Sequence, residues 1–303
     1  MKRKALARRP GTVNSRLIRR PIQRMFFLFL LPTFAAFCIG FLYPFLHGIY
    51  LSFCKFTTPS NAKWIWFDNY ARALRDPGFR HAFWYTALVA VVSLILINVL
   101  AFTVAYLLTR GIRGSNFFRG VFFLPNLIGG IVLGYIWRLI FDALLPQSIV
   151  LVTSFGYWGL ITVLCWQQVG YMMIIYIAGL MAVPEDMIEA AKIDGASGWQ
   201  TLTHITIPTV MPSITICTFL TLTNSFKLFD QNMVLNEGRP FLFTATGEQI
   251  HTTEMLALNI YNTFYQNSNS RGVGQAKAVL FFILVAVIAI LQFRLTHRKE
   301  VQQ

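Results

Sequence analysis

The stretch VPEDMIEAAKIDGASGWQTLTHITIPTVMP, Val183 to Pro212, is a charged island between two long apolar runs. The acids Glu185, Asp186, Glu189 and Asp194 crowd its first half, and Gly195 follows at once. Pro184 fits a first helical position, where its missing N–H costs nothing. Glu185 and Asp186 then suit the positive end of the helix. Met187, Ile188, Ala191 and Ile193 make an apolar side. Gly195 stops the helix with the freedom a tight reversal needs. Ser197 caps a second short helix with Trp199, Leu202 and Ile205 on one face. Pro208 and Pro212 mark re-entry into apolar surroundings. The pattern predicts a helix, a turn and a helix lying across the end of something greasy, with Ala190 and Ala191 small enough to let another surface approach.

The rest of the chain says what that something is. Its 303 residues are 55% hydrophobic and 13% charged, with mean hydropathy +0.55. Soluble domains carry about 25% charged residues, so the main solvent here is lipid. A helical span needs about 20 mainly apolar residues. Six candidates meet this: 26–49, 83–108, 117–141, 159–183, 207–229 and 276–295. Arg119, Pro125, Gly129, Gly130 and Arg138 interrupt the third, and Thr and Pro the fifth. Such breaks are tolerated where neighbouring helices or a watery cavity satisfy the backbone. Asn126, Gly129 and Gly130 beside Pro125 predict a broken helix that serves either gating or close packing. The run 25–53 is too long for a signal-peptide core of about 7–15 residues, so it reads as a retained span.

Nine of the Lys and Arg residues lie in positions 1–24, with no acid among them. This head abuts an apolar run, so the positive-inside rule explains it better than nucleic-acid binding. Six spans put both termini on one side, and the head marks that side as cytoplasmic. Arg110, Arg113 and Arg119, and the tail residues Arg294, His297, Arg298 and Lys299, agree. The external loop 54–82 runs against the rule, with five basic residues to two acids. By parity the opening stretch lies in the cytoplasm. A basic tail 1–24, a transmembrane domain 25–298 and a tail 299–303 follow, with a cytoplasmic loop at about 184–208 and an external segment at about 230–275. In that segment Met255, Leu258 and Tyr261 predict an amphipathic helix on the outer face. NEGRPF and QNSNSRGVGQ around it read as loop.

Catalytic and metal signatures are missing. Cys38, Cys54, Cys165 and Cys217 are scattered, with no C-x-x-C and no histidine at metal spacing. No Walker A, G-x-S-x-G or H-E-x-x-H pattern occurs. Ion-driven carriers place ionisable groups in mid-span; spans two, four and six are read as containing no Asp, Glu, Lys or His. Lys227 and Asp230, three apart, are expected to pair. Any uphill transport is then driven by a partner, and the opening stretch is the place for it to push.

Its residues carry a resemblance. EAAKIDGASGWQTLTHITIPTVMP is similar to the EAA loop of ATP-binding-cassette (ABC) importer permeases, through Glu189, Ala190, Ala191, Asp194, Gly195, Ala196, Ile205, Pro208 and Pro212. Leu202 stands where sugar permeases often have Phe, and Ile207 where Leu usually precedes the first Pro. FDNYARALRDPGF at 67–79, the run 107–142, NSFKLFD at 224–230 and TEMLALNIYNTFY resemble the MalF-like carbohydrate permeases. The resemblance covers about residues 25–298. It implies an all-α integral membrane protein with the six-helix type I importer fold and cytoplasmic termini. It implies no enzyme and no cofactor of its own, because ATP is bound by partner subunits. It implies a second related permease, two ATPase subunits docked on the EAA loops and an external solute-binding protein that delivers a sugar. The alternatives are a permease for glycerol phosphate or another polar solute, and an ion-coupled carrier.

Sugar sites pair hydrogen-bonding groups with aromatic faces. Trp166, Gln168 and Tyr171, with Gln167, cluster in span four; Thr218, Thr221 and Ser225 share a face of span five beside Asn224. Polar groups at this depth face protein or a cavity. Sugar contact and interhelical hydrogen bonding both remain open for each. Similar permeases hold their sugar around these spans, which favours Gln168, Tyr171 and Thr221. Tyr135 and Trp137 read as interface anchors.

Overall fold

The structure is a computed structural model that describes residues 28–243 and 247–297. The basic head 1–24, with the charge that sets the expected orientation, and the tail 299–303 lie outside the described residues. The chain divides into two units, Met1–Tyr50 and Leu51–Gln303. All but the last two residues of α1, Leu28–Ser52, a helix with a π segment at Cys38–Leu42, belong to the first unit. The rings of Phe37, Phe41 and Phe45 stack in succession along it at 5.2 and 5.9 Å, the spacing that side chains four apart produce.

The second unit opens with a two-stranded antiparallel ribbon, β1 Cys54–Lys55 and β2 Lys63–Trp64. After it come α2, Asp68–Arg75, and α3, Pro77–Leu108. The α3 helix starts six residues before the expected span because Asp76 caps it: the carboxylate accepts from Gly78 N at 2.8 Å, with Pro77 at the first position. At 1.5 Å per residue its 32 residues run about 48 Å, enough to cross a bilayer. The third span is broken as expected. The α4 helix, Ser115–Leu127, meets α5, Gly130–Leu144, at 101°. The fourth span is α6, Thr153–Met181.

The opening stretch forms α7, Glu185–Ile193, then α8, Gly198–Thr209, which bends by 70° into α9, Met211–Phe226. Pro184 is the N-cap of α7 rather than its first residue, because its ψ of 129° is extended. The expected loop 230–275 is more structured than the sequence implies. It holds α10, Asp230–Leu235; a ribbon of β3, Phe241–Phe243, and β4, Gln249–His251; and α11, Leu256–Tyr265. Finally α12 spans Arg271–His297, so RGVGQ is helix and not loop. Its glycines serve close packing: a Cβ on Gly272 would stand 2.3 Å from the Cys54 carbonyl oxygen. Lys227 ends α9 and Asp230 opens α10, and no ion pair joins them among the described residues.

The core lies where α3, α6 and α9 pack together. Ala101 and Ala105 of α3 are fully buried in one cluster with Leu160, Leu164, Met172 and Tyr176 of α6. Small residues let backbones approach where burial of apolar surface from water does not drive association. The ends of these helices define two faces. Leu108, Met181 and Met211 stand at the EAA-loop end; Pro77, Thr153 and Arg271 stand at the far end. One expectation fails in α12: Lys277 is the second residue of the expected sixth span and is 1% exposed. The apolar run around it hid its charge from a reading by hydropathy.

Candidate functional site

The EAA loop is assembled by its own sequence. At the end of α7 the Ala196 N–H donates to the Ala191 carbonyl at 2.9 Å, and the Gly195 N–H to the Lys192 carbonyl at 3.1 Å. These are the two bonds of a Schellman motif, which needs a left-handed residue; Gly195 supplies it with φ +77°. Ser197 and Gln200 then form a capping box: the Ser197 N–H donates to Gln200 Oε1 at 2.8 Å, and the Gln200 N–H to Ser197 Oγ at 3.3 Å. Both devices satisfy the orphan backbone groups of helix ends.

The two sides of α7 differ. Ala191 is buried and Ile188 packs against the core. Glu189, Ala190, Asp194 and Gly195 are exposed, while Ala196, Ile205 and Pro208 are half-buried. Three large apolar side chains on this loop face outward: Met187 at 46% exposure, Ile193 at 80% and Trp199 at 72%. The reading of one continuous apolar side is therefore corrected, because only its Ile188–Ala191 part meets the bundle. Large apolar groups presented together mark interaction sites. Hydropathy alone does not separate them from core residues. A cavity of about 630 Å³ lies behind the loop, between Glu185 and Lys192 on one side and Tyr106 and Arg110 at the end of α3 on the other.

Deeper in the bundle, the break between α4 and α5 leaves the Ile128 carbonyl without a helical partner. Gln167 of α6 donates to it at 3.2 Å and accepts from Gln231 Nε2 at 2.6 Å. One amide thus pins the broken span to α6 and α10. The next residue, Gln168, accepts from Asn224 of α9 at 3.3 Å. About two turns further on, the Tyr176 hydroxyl donates to Asn98 Oδ1 at 2.7 Å, and Asn98 Nδ2 reaches Thr221 Oγ1 at 3.4 Å. A polar seam therefore runs between α3, α6 and α9.

The sequence candidates fall differently along this seam. Gln168 and Asn224 are brought together, half-buried. Thr221 and Ser225 are each 1% exposed, and Ser225 donates to the Thr221 carbonyl. Thr218 bonds back to Ile214 and Thr215 of its own helix. Tyr171 packs against the core, and Trp166 meets Trp137 edge-on at 5.4 Å. Asn98, Gln231 and Tyr176 were missed; a lone amide in the charge-free span two was the available signal. No group of three His, Cys, Asp or Glu side chains arranged to hold a metal ion occurs among the described residues.

This architecture has known relatives. Residues 97–301 match the family described as binding-protein-dependent transport system inner membrane component. The chain is 40% identical over 289 residues to the probable starch degradation products transport system permease protein AmyD of Thermoanaerobacterium thermosulfurigenes, covering 91% of this chain and 95% of that one. It is 29% identical to the multiple sugar-binding transport system permease protein MsmF of Streptococcus mutans, over 87% and 92% of the two chains. In fold it is similar to a chain of a bacterial ABC transporter involved in the import of the acidic polysaccharide alginate, with TM-score 0.74, 20% identity and coverage of 94% and 99%. The broken helices, the Gly195 reversal and this match agree: the chain belongs to the binding-protein-dependent transport system inner membrane component family, as a multi-pass membrane permease.

Proposed function

We propose that this chain is one of two permease subunits of an ATP-driven carbohydrate importer. The observation that carries this reading is the EAA loop, a self-capped helix–turn–helix with Met187, Ile193 and Trp199 turned outward. A helix that sheds apolar surface into water has a partner. Partner ATPases seat on it, and ATP stays with them. A second, related permease completes the pathway, and an external solute-binding protein delivers the cargo to the far end. The termini and the EAA loop are cytoplasmic. A basic tail 1–24 precedes the transmembrane domain 25–298, and the tail 299–303 follows it. Glu189, Ala190, Ala191, Asp194, Gly195, Ala196, Ile205 and Pro208 couple the ATPase to the bundle. Gln168 and Asn224, half-buried on the seam, and Tyr171, half-buried three residues beyond Gln168 in α6, are the best placed candidates to meet sugar hydroxyls. Thr221 and Ser225 are buried and serve helix packing instead.

The names of the relatives favour a neutral oligosaccharide over other solutes, AmyD above all. A glycerol-phosphate reading draws on the permease UgpA of Brucella abortus, 26% identical. The seam favours sugar: the groups named along it are amides and hydroxyls, with no cation among them to hold a phosphate. The test is to purify the chain with its partners and measure ATP hydrolysis with the loaded binding protein over a panel of oligosaccharides. Stimulation by maltooligosaccharides is expected. Stimulation by glycerol phosphate alone, or uptake by the solitary chain, overturns the reading.

A further inference from the structure

The cavity behind the EAA loop has the proportions of a ligand site. Its volume of about 630 Å³ falls within the range of about 300–1,000 Å³ of small-molecule sites, which are mostly apolar with a few placed polar groups. Its rear wall is the bundle core: Val183 is buried, and Leu180 and Ile188 pack against the same cluster. Glu185, Ile188 and Lys192 line it from one stripe of α7, at the spacing that puts residues on one helix face. Arg110 lines it from just beyond the end of α3. It is held there by Tyr106, whose ring centroid lies 4.4 Å from the guanidinium carbon and whose hydroxyl accepts from Arg110 Nη2. No carboxylate lies within ion-pair distance of Arg110 or Lys192 among the described residues.

A guanidinium stacked on a ring loses little further freedom when it binds, and its planar fork matches the oxygens of a phosphate. Arginine has five N–H donors, and Arg110 spends one on Tyr106. Lys192 adds a second cation to the lining. Glu185 is the opposing charge. It stands seven residues from Lys192, about 10 Å along the helix axis, which is about one Debye length at physiological ionic strength. Lys192 therefore still attracts an anion. The level in the fold fits as well. The α3 helix ends at Leu108 and α6 at Met181, where spanning helices leave a bilayer. Basic pockets at that level hold phosphate-bearing headgroups. Met181, also on the lining, is 69% exposed, which gives acyl chains an apolar surface to follow.

We propose that this cavity binds a phosphate group, with Arg110 as its anchor and Lys192 as the second cation. A lipid headgroup and a free phosphate ester share that chemistry. Occupied, the site ties α7 to the end of α3, so it sets how firmly the EAA loop follows the bundle. It lies apart from the seam and stands whether or not the cargo is a sugar. The test uses the assembled transporter, delipidated in dodecyl maltoside, a detergent without phosphate. Phosphatidylglycerol is titrated in, and bound lipid is counted by native mass spectrometry. Arg110→Gln is compared with Arg113→Gln, which removes the same charge three positions on, outside the cavity lining. Both side chains are exposed, so both variants keep the fold. Arg110→Gln is expected to bind about tenfold more weakly, the loss of a hydrogen bond to a charged group. Arg113→Gln is expected to bind as the unaltered chain does. Unchanged affinity in Arg110→Gln overturns the proposal. Equal weakening in both variants overturns it too, because net charge alone then attracts the lipid. So does equal binding of a diacylglycerol with the same acyl chains and no phosphate. Glucose 6-phosphate separates the sources: displacement of the lipid assigns the site to a soluble phosphate ester as well, and no displacement assigns it to the headgroup.

Discussion

Gly170 of α6 lies directly against the backbone of Phe122 in the broken third span. A Cβ placed on Gly170 would fall 1.8 Å from the Phe122 carbonyl oxygen. No rotamer relieves a clash with backbone, so Gly170→Ala must push α4 away from α6. Overpacking a core costs about 1–3 kcal/mol, and this case belongs at or above the upper end. The detergent-solubilised complex should melt several degrees lower than the unaltered one. Gly120 of α4 is the control, because nothing lies within 4 Å of its Cβ position. Gly120→Ala should be neutral or stabilising by up to about 1 kcal/mol from helix propensity. Equal melting temperatures for both variants would contradict the packing.

Gly195 is constrained in a different way. Nothing lies within 4 Å of its Cβ position, but its φ is +77°. A side chain there meets no neighbour and still strains the reversal, by about 1–2 kcal/mol. Gly195→Asp should therefore leave the permease in the membrane at normal abundance while ATP hydrolysis is uncoupled from uptake. The ratio of ATP hydrolysed to sugar transported is the measurement. Normal transport in this variant would sink the role assigned to the turn.

The outward apolar trio gives a prediction that stability does not confound. Ile193 and Trp199 are 80% and 72% exposed, so polar replacements create no cavity. Surface substitutions of this kind usually stay within about 0.5 kcal/mol. Ile193→Asp with Trp199→Asp should preserve expression and melting temperature and should abolish co-purification of the ATPase subunits. A wild-type yield of ATPase would place its seat elsewhere.

Local devices were legible in the sequence because their chemistry is local. Gly195, Ser197 and the caps of α7 and α8 are decided by residues within a few positions of one another, and the spans by runs of apolar side chains. The break at Gly129–Gly130 was legible for the same reason. The Lys277 ion pair was not: its partner Asp76 is 201 positions away, and Lys277 itself sits in a run that averages as lipid-facing. The two short ribbons were missed because strands of two or three residues carry no periodicity. Exposure on α7 was missed because an outward Ile193 and an inward Ile188 look alike in one dimension.

Gln167 and Gln168 are adjacent and should fail differently. Gln167 is 8% exposed and spends its amide on the Ile128 carbonyl and on Gln231. Gln167→Ala leaves the buried Gln231 amide and the partly buried Ile128 carbonyl without these bonds, at up to about 1–3 kcal/mol for the buried group. It should lower the melting temperature and the yield of the complex. Gln168 is half-buried and shares one bond of 3.3 Å with Asn224, so Gln168→Ala removes little structure. That variant, like Tyr171→Ala, should assemble normally and raise the half-saturation for sugar in uptake at least threefold. Titrating sugar against uptake in membranes matched for permease content separates the two effects. Unchanged uptake kinetics in both Gln168→Ala and Tyr171→Ala would remove them from the pathway and leave the seam as helix packing alone.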